Sequence, residues 1–194
     1  MRAKQITLIT EESKKEILSS LQGLTLTQKF VKSVEDNVPW LLKDCLLKGI
    51  DPSLSNNWAL KYACHEGYVE LVKILMREGR VDVNADDGYP LTIASYIGHV
   101  AVVKELMKDP RVDPTLNDYA SISKAAEFSH VEIVKILLKD KRVDPSFHNN
   151  EILRWSAYLE NIEIMELVLK NKKVKSLLSK EQLEKYNEIL NKDK

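Results

Sequence analysis

Glycine and proline are scarce, six of each in 194 residues, and the six glycines are spread along the chain without clustering, so no glycine-rich phosphate loop is available. Cysteine is scarcer still. Cys45 and Cys64 are too few for a disulfide framework and both fall inside apolar helical patterns, which fits a reducing, cytoplasmic compartment. The chain also lacks an excess of either charge, because 29 basic residues face 29 acidic ones. No overall positive field exists to attract phosphates, so nucleic acid is not an expected partner. Long hydrophobic runs are absent too: no window reaches the roughly 18 apolar residues of a membrane span. The opening MRAKQITLITEESKKEIL turns charged too early for a signal peptide. No membrane partner is expected. Apolar residues nevertheless make up 44% of the composition, enough to bury a core.

What the chain does have is repetition. The phrase Arg111-Val112-Asp113-Pro114 returns as Arg142-Val143-Asp144-Pro145, 31 residues on, and the same step backward reaches Arg80-Val81-Asp82. A fixed period of this size marks an architecture of stacked units. Four rows begin at Asp51, Asp82, Asp113 and Asp144. Leu60, Leu91, Ile122 and Leu153 share one column, with Ala63, Ala94, Ala125 and Ser156 three positions on, which places an apolar and a small residue on one face of a short first helix. A second helix follows in each row, with columns at Val69, Val100, Val131, Ile162 and at Leu75, Leu106, Leu137, Val168. Lys73, Lys104 and Lys135 form its solvated stripe.

The Arg-Val-Asp-Pro phrase reads as a helix stop and a register clamp. Val81, Val112, Val143 and Val174 are apolar pegs between adjacent loops, the aspartates form turns, and Pro52, Pro114 and Pro145 fix an extended exit. Pro110 is expected to end the second helix of its row by barring its predecessor from the α region.

Two short antiparallel helices and a loop, with Gly-His opening the second helix, resemble the ankyrin repeat. The second row carries the likeness best, through Pro90, Leu91, Ala94, Ser95, Gly98, His99, Val102, Val103, Leu106 and Met107. The resemblance runs from about residue 37 to 175 and implies an all-α ankyrin-type solenoid of four to five repeats. Residues 1–36 are then an N-terminal helical cap and residues 176–194 a C-terminal capping helix. The period departs from the family's usual length of about 33, and the Thr-Pro-Leu-His helix start survives only as Pro90-Leu91-Thr92. A long β-hairpin finger is therefore not expected. Short-finger repeats with such loops are similar to ankyrin proteins of giant DNA viruses and their amoebal hosts; a viral origin would place the protein in host cytoplasm.

No catalytic constellation emerges, and no cofactor or metal is expected. His99 and His130 share a column in neighbouring rows and suit a structural role at the helix start. Cys64 shares its column with Ser95, Ala126 and Ala157 and reads as a small packed residue. His65 and His148 have no repeating ligand partner, and Asp86-Asp87 reads as a solvated turn, lacking the further oxygen ligands of a calcium loop. The chain is expected to be no enzyme.

The resemblance implies a concave face lined by turn tips and first-helix ends. This chain places His65, Tyr96, Ile97, Glu127, Phe128 and Tyr158 at the helix ends, and Trp58, Tyr89 and Tyr119 at the tips. Aromatic anchors of this kind suit a protein partner, although Ile97 and Phe128 could equally pack on the next repeat. A monomeric scaffold is the expectation. The alternative is an adaptor: residues 9–42, through KEILSSL, GLTLTQKFVKSV and Trp40, loosely resemble an F-box, which would recruit a ubiquitin ligase to a target held by the repeats.

Overall fold

A computed structural model describes residues 10–191, and all regular structure among them is helical. The chain divides after Ile50 into two compact units. The first holds α1 (Glu11–Ser20), α2 (Leu26–Glu35) and α3 (Pro39–Leu47). Thr10 caps α1 by accepting from the Ser13 N–H at 3.1 Å. Thr25 and Gln28 form a capping box at the start of α2, and Pro39 occupies the first turn of α3, where its missing N–H costs nothing. Helix α2 packs on α3, with Phe30, Val34, Leu41, Leu42 and Cys45 buried, whereas α1 buries no side chain.

The second unit is built from four helix pairs: α4 (Leu54–Glu66) with α5 (Val69–Met76), α6 (Ala85–Ile97) with α7 (Val100–Leu106), α8 (Leu116–Glu127) with α9 (Val131–Leu137), and α10 (Phe147–Tyr158) with α11 (Ile162–Leu169). First helices pack on first helices and second on second, giving two layers, and each pair also packs within itself. The short α12 (Lys172–Ser176) and α13 (Lys180–Asn191) follow, and α13 lies against α11.

The columns read from the period form the core. Leu60, Ile122 and Leu153 are fully buried and Leu91 nearly so, and Ala63, Ala94, Ala125 and Ser156 beside them have no exposed surface. In the second helices Leu75, Leu106, Leu137 and Val168 are completely buried, as are Val72, Val103, Val134 and Met165 one turn earlier. Each such side chain contributes about 1.5–3 kcal/mol by leaving water. The column of Val69, Val100, Val131 and Ile162 is only half-buried, because it opens the helix at the edge of the layer.

Each first helix is entered through three consecutive left-handed residues: 55–57, 86–88, 117–119 and 148–150, with φ between 46° and 80°. This turn stands where a hairpin finger would otherwise project. Nine of the twelve positions are Asn, Asp or Gly, the residues that tolerate this region at least cost.

The Arg-Val-Asp phrase clamps neighbouring rows. Val81, Val112, Val143 and Val174 are all buried pegs. The carboxylates of Asp51, Asp82, Asp113 and Asp144 accept from the N–H two residues on, at 2.9–3.0 Å, closing the turn. Arg111 is forked by Asp109 and donates to the Met76 carbonyl of the preceding row at 2.7 Å; Arg142 is forked by Asp140 and donates to the Val112 carbonyl at 3.0 Å. Pro110 is not what ends its helix. Helix α7 stops at Leu106, four residues earlier, and α9 stops in the same column at Leu137 with Lys141 where Pro110 would be. The reversal belongs to the Asp-Arg turn that both rows share.

Candidate protein-binding face

The first helices present the same four columns outward in every row, at helical spacing i, i+3, i+4 and i+7. The first row shows Trp58, Lys61, Tyr62 and His65; the second Tyr89, Thr92, Ile93 and Tyr96; the third Ala120, Ser123, Lys124 and Glu127; the fourth Glu151, Arg154, Trp155 and Tyr158. None of the sixteen is buried. Aromatic side chains therefore gather in rows one, two and four, while the third row is small and polar, with Lys124 and Glu127 paired to each other at 2.7 Å.

Two depressions result. One, of about 370 Å³, lies between rows one and two and is lined by Trp58, Lys61, Tyr62, His65, Glu66, Asp86 and Tyr89. Its Trp58 and Tyr62 rings sit 5.3 Å apart, and Tyr89 stays exposed at its rim. Lys61 and Asn56 donate to Asp86, holding that carboxyl below its usual range and tying the rows together across the depression. The other, of about 450 Å³, is formed by Glu151, Arg154, Trp155 and Tyr158, with the two rings in edge contact at 6.1 Å.

The expected site residues fall into distinct settings. Trp58, His65, Tyr89, Tyr96, Glu127 and Tyr158 lie on the outward columns, and Tyr158 is 79% exposed. Tyr96 and Phe128, from adjacent rows, make an edge contact with ring centroids 4.6 Å apart while both keep over two-fifths of their surface in water. Ile97 is half-buried beside them. Tyr119 stands one position out of register with Trp58 and Tyr89. It occupies the last left-handed residue of its turn, in the column of Gly88, and stacks on the buried Phe147 at 4.7 Å. Tyr62, Trp155 and Arg154 complete the face and were not singled out from the sequence, although Tyr62 and Trp155 follow Trp58 and Glu151 by one helical turn.

Two structural roles explain residues that might suggest chemistry. The His99 Nε2 donates to the His65 carbonyl at 2.9 Å, and the His130 Nε2 to the Tyr96 carbonyl at 3.0 Å, so each Gly-His histidine ties its row to the one before. Burial pushes the Cys64 thiol far up and the Cys45 thiol up, so both stay protonated and unreactive. Among the described residues no three His, Cys, Asp or Glu side chains converge as metal ligands, and no helix is long and apolar enough to cross a membrane.

Paired antiparallel helices stacked in two layers, with exposed columns on one of them, define a helical repeat solenoid. Residues 30–118 match the family model for ankyrin repeats in three copies, so the repeats of that span are ankyrin repeats. The match begins at Phe30 in α2 and takes in α3, and the rows at Asp113 and Asp144 continue the same geometry beyond it. No curated protein matches the chain. Ankyrin repeats are in general protein–protein interaction modules.

Proposed function

We propose that this protein is a non-enzymatic scaffold that binds a partner protein along the outward columns of its first helices, with the aromatic depressions of rows one to two and of row four as anchor points. The observation that carries this reading is the gathering of the exposed Tyr89, Tyr96 and Tyr158 and the half-buried Trp58, Tyr62 and Trp155 on one set of columns, with none of them in the core. Rigid aromatic side chains offer large contact area at low entropic cost, and such residues dominate interface energetics. The buried, protonated thiols of Cys45 and Cys64 agree with work in a reducing, cytoplasmic setting. The adaptor alternative has less behind it, because the ankyrin match takes up residues 30–42, the part of the F-box-like segment that contains Trp40.

Tyr158 is the cleanest probe, being 79% exposed, whereas Tyr96 also supports Phe128. Tyr158→Ala is expected to leave the unfolding midpoint unchanged within about 0.5 kcal/mol and to weaken partner binding by about 2 kcal/mol, roughly thirtyfold. Affinity capture by the wild-type chain and by Tyr158→Ala and Trp58→Ala variants, compared quantitatively, makes the test. If both variants retain every captured protein at wild-type levels, the interface lies elsewhere.

A further inference from the structure

The opposite layer of the second unit carries a feature that protein binding through the first helices does not use. Between the end of α9 and the end of α11 lies a groove of about 440 Å³. Val143 and Pro145 are buried at its base, and Leu138 and Leu167 are half-buried in its walls. Lys139, Lys141 and Lys170 line it, all exposed, and none makes an ion pair within 4.0 Å among the described residues.

Of the carboxylates nearby, Asp140, Glu132 and Glu163 are already committed. Asp140 is held by Arg142 at 2.6 Å, which pulls its pKa down. Glu132 feels Lys139 but is bonded to Lys135, which also takes Glu163. Glu166, one turn before Lys170 on α11, forms no ion pair. The groove therefore carries three ammonium groups over an apolar floor, none of them in an ion pair among the described residues, with the Glu166 carboxylate one helical turn from Lys170.

The equivalent groove between rows one and two is an internal control. There Lys73 is paired with Glu70 at 2.6 Å and Lys108 with Glu105 at 2.7 Å, and Asp109 forks Arg111. At the later groove the column of Glu105 holds Leu167, and the column of Asp109 holds Asn171, so two carboxylates are gone while the lysine column persists as Lys139 and Lys170. The early groove sets Lys73, Arg77 and Lys108 against Glu105 and Asp109, whereas the later one sets Lys139, Lys141 and Lys170 against Asp140 alone, so the later lining is the more positive and its lysines have lost the pairing that Lys73 and Lys108 have.

We infer that this groove docks an acidic peptide segment of a partner protein, its carboxylates on Lys139, Lys141 and Lys170 and an apolar side chain on the floor between Leu138 and Leu167. A cavity of this size holds a few side chains, and an apolar floor serves a peptide better than a phosphate backbone. The chain's net charge of zero adds no overall field to the attraction. The inference stands apart from the first-helix reading, since Trp58 and Tyr158 take no part in it.

The test is fluorescence anisotropy of the full chain with a labelled peptide of six glutamates around a central leucine, and with its all-glutamine counterpart. The glutamate peptide is expected to bind at least tenfold more tightly than the glutamine one, and to weaken at least threefold between 50 and 200 mM salt, because its contacts are partly solvated charges. Lys139→Gln/Lys170→Gln should lose at least tenfold in affinity, whereas Lys73→Gln/Lys108→Gln should stay within twofold. Circular dichroism melts confirm that the exposed lysine variants fold. Equal binding of the two peptides, or an equal loss from both double variants, overturns the inference in favour of diffuse charge attraction. Cosedimentation with vesicles containing anionic lipid, lost in Lys139→Gln/Lys170→Gln while no peptide binds, overturns it in favour of a lipid surface.

Discussion

Gly98 offers a way to measure how strongly one repeat is locked to the next. It ends α6 at φ 93°, and a Cβ built there would sit 2.6 Å from Cε1 and 2.9 Å from Nδ1 of His130. That ring cannot simply step aside, because its Nε2 donates to the Tyr96 carbonyl at 3.0 Å. Gly98→Ala therefore carries two costs. The left-handed backbone alone costs an alanine about 1–2 kcal/mol, and displacing the ring forfeits a hydrogen bond with a net value of about 1 kcal/mol. The total is about 2–3 kcal/mol, a large share of a typical stability of about 5–15 kcal/mol. The second cost vanishes once the ring is removed. In a His130→Ala background, Gly98→Ala should cost only its backbone share, giving a coupling of about 1 kcal/mol in the double-mutant cycle. Urea unfolding of the four proteins, followed by circular dichroism and by tryptophan fluorescence to check that the transitions coincide, supplies the numbers. Additivity within about 0.3 kcal/mol would show that the ring is not the obstacle and that the lock lies elsewhere.

Ser55 is the first residue of a left-handed turn at φ 53° and is exposed. Ser55→Gly should raise stability by about 0.5–1 kcal/mol, the left-handed penalty relieved less the added freedom of the unfolded glycine, and a drop in the urea midpoint would refute it. Acid should loosen the clamps. The Asp51 and Asp113 carboxyls are held below the usual carboxylate range by the N–H and then the hydroxyl of the residue two on, and Asp109 and Asp140 by their arginines. A lowered folded pKa stabilises fully above the unfolded value of about 4 and is lost as pH falls through the folded value, so the urea midpoint should hold between pH 7 and 5 and fall below about pH 4. A midpoint that is unchanged or higher at pH 3 than at pH 5 would contradict that sign.

The columns were legible because a repeat imposes the same packing demand every 31 residues: Leu106 and Leu137, or Val112 and Val143, meet equivalent neighbours and so carry equivalent side chains. The left-handed turns were legible only as turns. Their signal was the pile-up of Asn, Asp and Gly at 55–57, 86–88, 117–119 and 148–150, but three consecutive left-handed residues are rare enough that composition alone does not suggest them. Pro110 is a strong local helix-breaking signal, whereas the turn that ends the helix is shared by a row without it. The register of Tyr119 depended on where the left-handed turn gives way to helix, one residue later than the aromatic pattern suggested. Tyr62 and Trp155 lie mid-helix, between the turn tips and the helix ends, in a column that is polar in the third row and aliphatic in the second, so no aromatic repeat marks it in the sequence.

The histidine and arginine bonds between rows share a direction. His99 reaches back to His65, His130 to Tyr96, Arg111 to Met76 and Arg142 to Val112, so in each case the later row brings the donor and the earlier row the waiting carbonyl. A ribosome delivers these rows in that same order. Each new pair of helices can dock onto a surface that is already folded and whose open groups at these four bonds are acceptors that water satisfies meanwhile. Chain growth and stack growth then run together, and an unfinished polypeptide carries no stranded guanidinium or imidazole from rows yet to come.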